Sequence, residues 1–163
     1  MVKSSLSEYR EGAMGALMDE YEKALDELLQ VVKPITQDQF ETIVDYETKD
    51  ESCRSIQTIL SHVIGAGYAY SDYIRDRLGL EITSSPVDLK QVNHITNFLQ
   101  RMFEYMLETV ELMSPFTDEI WMSTLIRTRW GQNYDLEQLL EHAIVHLLRH
   151  RRQLEKFLIQ LSK

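Results

Sequence analysis

At 163 residues, with 44% hydrophobic and 26% charged residues and only 6 Gly and 3 Pro, the chain can bury on the order of 70% of its unfolded surface without disulfides or a structural metal, which excludes a disordered polymer. Its 17 Lys and Arg against 26 Asp and Glu give a formal net charge of −9, which repels a phosphate backbone and argues against a nucleic-acid partner. Cys53 is the one cysteine, so internal disulfides, Cys-x-x-Cys redox chemistry and cysteine zinc clusters are excluded, and a soft-metal site has to be built from histidine.

In chain order, Ser5 with Glu8 matches a capping box, and Met14, Leu17, Tyr21, Ala24, Leu25, Leu28 and Val32 recur at helical spacing until Pro34. This predicts helix one. Thr36 with Gln39 opens a brief connecting helix to about Val44, followed by a polar stretch from Asp45 to Ser52. Ile56, Ile59, Leu60, Val63, Ala66, Gly67, Tyr70, Ile74 and Leu78 form the stripe of helix two, which Gly79 terminates. Glu81 to Asp88 reads as a loop, with Asp88 as cap of a third helix from Leu89 to Ser114, stopped by Pro115.

Between Phe116 and Tyr134 the pattern degrades. A helical turn is expected near Asp118 to Met122 and an extended run from Leu125 to Trp130, broken at Gly131. Trp121, Trp130 and Tyr134 are expected to cap the core or to line a pocket mouth. Asp135 with Gln138 makes a further capping box and opens the last helix, to Leu161. The expected architecture is all-α: a four-helix bundle with an irregular segment between helices three and four, forming one domain over residues 1–163. The N-terminus lacks the apolar core of a secretory signal, and no stretch approaches about 18 apolar residues. The expectation is a cytoplasmic protein with no membrane partner.

The histidines of the last helix stand out. At ~100° per residue, Ala143, His146, His150, Phe157 and Leu161 lie within about 40° of Leu139, so two imidazoles replace apolar residues on the core-facing side, one turn apart. That spacing suits two ligands of one cation. Periodicity alone leaves a second reading open, in which both rings are neutral and hydrogen-bonded inside the core. His142 is rotated by ~60° toward Gln138 and Arg149 and reads as a rim residue. His62 flanks the stripe of helix two beside Gly65, Ala66 and Ala69, whose small side chains leave room for its ring. His94, near the start of helix three, reads as a surface histidine. Arg149, Arg151 and Arg152 read as a solvated helix end that complements the macrodipole. There is no Glu-x-x-His, His-Glu-x-x-His or Cys-x-x-Cys-His sequence, and no Gly-rich phosphate loop or Gly-x-Ser-x-Gly elbow. Carboxylate-bridged di-iron, zincin, c-type haem, nucleotide and serine-hydrolase readings are therefore unsupported.

A histidine in the second long helix, Arg129-Trp130-Gly131-Gln132, Leu139-Leu140-Glu141-His142 and then His146-Leu-Leu-Arg-His150-Arg-Arg-Gln153 together resemble the DinB/YfiT-like family of bacterial metal-binding bundles. The resemblance implies a divalent metal, zinc or nickel, on His62, His146 and His150, with Gln153 supporting the ligands from behind. It also implies a homodimer. Arg152 stands where members often carry Gly, and Val145 where they often carry a polar residue, without loss of a ligand. Three neutral imidazoles leave an open metal position, the arrangement of catalytic sites. The resemblance points to a low-molecular-weight thiol S-transferase or a hydrolase acting on a small molecule, with Tyr70, Tyr73 and His142 as candidate proton donors or orienting groups. The competing expectation is a non-enzymatic dimeric bundle that binds metal or senses a ligand.

Overall fold

The computed structural model describes residues 9–113 and 123–162. Among them are helices α1 (Gly12–Val32), α2 (Gln37–Glu41), α3 (Ile56–Leu78), α4 (Ile95–Leu112) and α5 (Leu136–Leu161), with short strands β1 (Ile126–Arg127) and β2 (Asn133–Tyr134) between α4 and α5. The protein is mostly helical, as expected, but carries this small two-stranded antiparallel sheet as well. The expected turn at Asp118 to Met122, and Trp121 within it, lie outside the described residues.

Local chemistry accounts for most helix ends. The hydroxyls of Thr36 and Ser55 and the carboxylate of Asp135 each accept the backbone N–H three residues on, and Gln39, Thr58 and Gln138 return the bond, so α2, α3 and α5 all open with reciprocal caps. Gly79, at φ +69°, closes α3 in the left-handed conformation that relieves its last carbonyls.

Two starts differ from the sequence expectation. The capping pair of Ser5 and Glu8 falls outside the described residues, and α1 begins only at Gly12. There the backbone turns through φ +76°, and the Arg10 guanidinium folds back onto Asp19 and Glu22 of α1. A side chain at Gly15 would collide with the Arg10 backbone at 2.6 Å, so this reversal needs the glycine. Helix α4 begins at Ile95 and not at Leu89. Gln57 donates to the Leu89 carbonyl, and Gln37 both donates to the Lys90 carbonyl and accepts the Val92 N–H. These side chains from α2 and α3 take up backbone groups that a longer α4 would use, and Asp88 pairs with Lys90 without capping.

Helix α1 packs on α4 and α5, and α3 packs on α4 and α5. The core between them is built from the sequence stripes, including Tyr21, Leu25 and Leu28 of α1, Ile59, Leu60 and Val63 of α3, Leu99 and Met102 of α4, and Leu139, Leu140 and Leu147 of α5. Helices α3 and α4 approach closely at Gly67, where a Cβ would overlap the Met102 thioether. No helix among the described residues is long and apolar enough to cross a membrane.

Two irregular segments are pinned beside the α3–α5 contact. The chain before α3 is tied down by Val44 and Asp45, whose N–H groups donate to the Arg54 carbonyl, and this holds the 3-10 turn Glu51–Cys53 at the start of α3. The β1–β2 hairpin turns at Gly131, φ +88°. Arg77 donates to its Leu125 carbonyl and the Tyr73 hydroxyl accepts its Arg129 N–H.

Candidate metal centre

His146 and His150 occupy the inward face of α5, 7% and 3% exposed, within the row that also buries Leu139, Ala143, Leu147, Leu154 and Phe157. Their ring centroids are 4.5 Å apart, and His62 comes across from α3 to stand 4.9 Å from His146 and 5.1 Å from His150. One ring nitrogen from each of the three lies within 4.8 Å of the others. The Nε2 atoms of His62 and His146 are 3.0 Å apart. A tetrahedral ion with Zn–N bonds near 2.0–2.1 Å holds its ligand nitrogens about 3.3 Å apart, so spacings of 3.0 Å and up to 4.8 Å leave the cluster within about 1.5 Å of a coordinating set.

Hydrogen bonding separates the three rings. The Nδ1–H of His150 donates to Gln153 Oε1 at 3.0 Å, which leaves Nε2 as a bare lone pair. That atom is buried and has no partner. An unpaired buried acceptor costs on the order of 1–3 kcal/mol, and here it sits beside two further imidazole nitrogens. An electrophile shared by all three rings resolves the deficit, whereas a purely hydrogen-bonded trio leaves it standing.

Burial is the main cause holding the rings neutral. Desolvation, then the neighbouring imidazoles and the Arg149 charge, push His146 down to about 3. Desolvation also lowers His62, against Asp50, which pulls it up, and His150, against its Gln153 hydrogen bond. Three neutral nitrogen donors this close together make a set that can hold a metal ion.

The remaining candidates sort by position. Tyr70 is buried, with its ring 5.8 Å from His146, and burial pushes its hydroxyl up to about 12, so it stays protonated. His142 lies one turn up α5 from His146, its ring 6.3 Å away. It stacks on Trp130 at 5.7 Å, with Tyr134 Oη 3.5 Å from its Nδ1. Desolvation and Arg149 lower its pKa as well. Tyr73 has its hydroxyl on the Arg129 N–H and its ring edge-on to Trp130, so it anchors the hairpin. Trp130 and Tyr134 thus wall one side of the histidine row, the pocket-mouth position that composition left open. His94 is exposed at the end of the 3-10 turn that leads into α4 and is not among the clustered histidines, as the sequence indicated.

On the other side, a cleft of about 430 Å³ opens over His62 and His150, lined further by Asp50, Cys53, Arg149, Arg152, Gln153 and Lys156. Asp50, Cys53 and Lys156 escaped the sequence reading. The only available signal was Asp50 ahead of Ser52, an Asx-type turn within a segment read simply as polar. Asp50 accepts from the Ser52 backbone N–H and hydroxyl and from the Cys53 thiol. Burial raises the Cys53 thiol above its ordinary pKa, so it is no ready nucleophile.

The model of one protein family, the DinB family, matches residues 8–161. No curated protein matches the chain.

Proposed function

This chain belongs to the DinB family, and on that premise we propose that it is a divalent-metal protein whose ligands are His62, His146 and His150. The scaffold is a four-helix bundle of α1, α3, α4 and α5 forming one domain, with zinc or nickel as the ion. The observation that carries the reading is the buried, unpartnered Nε2 of His150 beside the His62–His146 pair.

The cleft beside the triad supports an enzyme over a closed structural site, because three protein ligands leave a coordination position for a small molecule. When bound, the ion supplies a Lewis acid that makes a water or a thiol held on it acidic near neutral pH. Gln153 holds the His150 ring with Nε2 directed away from it. Tyr70, kept protonated by its burial, and His142, kept neutral, are the groups beside His146 that can give or take a proton. Transfer of a low-molecular-weight thiol and metal-assisted hydrolysis are the two reactions this equipment suits.

Elemental analysis of the tag-free protein beside His146→Ala, with circular dichroism of both, tests the site. About one zinc or nickel per chain in the parent and little in the folded variant is expected from a single three-histidine site. A parent that stays metal-free after incubation with both ions refutes it. Thiol transfer and hydrolysis assays on parent and variant then test the enzyme reading.

A further inference from the structure

Beyond the triad, α5 presents a row of cations along the cleft. At ~100° per residue, Arg149, Arg152 and Lys156 fall within about 60° of one another, on the flank next to Gln153 and His150. All three are exposed and all three line the cleft over His62 and His150. Arg151, between them in sequence, points elsewhere and is neutralised by Glu27 of α1 and Glu155. The sequence reading of these arginines as one divergent, solvated group is therefore incomplete. Among the described residues no ion pair engages Arg149, Arg152 or Lys156, and none engages Arg77, Arg101, Arg127 or Arg129 either; what sets the three apart is that they share one cleft.

In a chain of net charge −9, three unpaired cations converging on one cleft are not average surface. The one carboxylate in the lining, Asp50, is turned onto Ser52 and Cys53. The positive field of the three cations bears on the same cleft that His62 and His150 line. A divalent ion on the triad adds to the same field.

We infer that the cleft is an anion subsite: Arg149, Arg152 and Lys156 hold a carboxylate or phosphate of a small ligand whose donor atom faces His62, His146 and His150. The guanidinium forks of Arg149 and Arg152 suit such planar or multi-oxygen anions, and Lys156 adds a point charge. The substrate class is a small acid with a metal-seeking group such as a thiol, and not a neutral thiol. The donor end of this inference rests on the metal reading above, while the anion end does not.

The test uses 2-mercaptosuccinate, 2-mercaptoethanol and succinate on the full chain and on the double variant R152E/K156E, whose positions are exposed and outside the proposed ligands. On zinc-loaded protein, calorimetry is expected to give mercaptosuccinate an affinity at least about tenfold above mercaptoethanol, with the advantage lost in the double variant at unchanged zinc content. On metal-free protein, succinate is expected to shift the Arg149 side-chain N–H resonance saturably in the parent and not in the variant. Equal affinity for the two thiols in the parent, or a preference that survives in the variant, overturns the inference. Should the protein take up no zinc, the metal reading fails by itself and the succinate titration still decides: a drift that follows only ionic strength marks a solvated helix end and overturns the subsite.

Discussion

Replacing Gln153 by Leu removes the acceptor of the His150 Nδ1–H, a hydrogen bond of 3.0 Å, while leaving all three imidazoles in place. The His150 ring is 3% exposed, so its N–H has little access to water and the ring gains by swapping tautomer or rotating. Either response turns the Nε2 lone pair away from its neighbours or covers it with a proton. Loss of such an orienting partner typically weakens metal binding 10- to 100-fold, about 1.4–2.7 kcal/mol. Zinc competition against a chromophoric chelator at neutral pH reads this directly, with circular dichroism verifying that helix content is kept. Gln153→Glu retains an acceptor and should hold zinc at least as well as the parent. If Gln153→Leu binds zinc within about twofold of the parent, Gln153 does not orient a ligand and the assignment of His150 loses its main support.

The metal-free protein should lose stability on mild acidification. The triad histidines have folded-state pKa values below the unfolded value of about 6.5, with His146 down to about 3. Between those values the unfolded chain binds more protons than the folded one, so stability is full above about pH 6.5 and falls as pH drops below it. Urea midpoints between about pH 7.5 and 5, above most carboxylate titration, measure this, and His146→Gln should flatten the slope; a parent midpoint that does not move refutes neutral burial. Gly67→Ala places a methyl group against the Met102 thioether, and Met102 is fully buried. Overpacking there should cost about 1–3 kcal/mol in denaturant titration, and an unchanged midpoint would mean that α3 and α4 separate freely.

The stripes of α1, α3 and α5, the capping pairs at Thr36, Ser55 and Asp135 and the stop at Gly79 all depend on residues within a turn or two, and for the most part could be read locally. The Ser55 cap was nonetheless overlooked, because its return partner is Thr58 and not the usual Glu or Gln. The start of α4 could not be read, since Leu89 and Asp88 look like a helix entry and only Gln37 and Gln57, distant in sequence, draw that backbone away. The hairpin was half legible: the extended run from Leu125 contains β1 and Gly131 marks the turn, but β2, the two residues before the cap of α5, has too little alternation to register.

By itself the sequence determined that His146 and His150 share the inward face of one helix, because a 3.6-residue repeat is a local property. That His62 meets them across 84 positions was legible only through family resemblance, and the structure puts it there by packing α3 on α5. Tertiary structure alone decided that Arg151 finds Glu27 while Arg149, Arg152 and Lys156 stay unpaired around a cleft, and that His150 Nε2 is left without a partner. Which charges are neutralised and which lone pairs are stranded depends on what another helix brings alongside, and no periodicity within a helix encodes its neighbour.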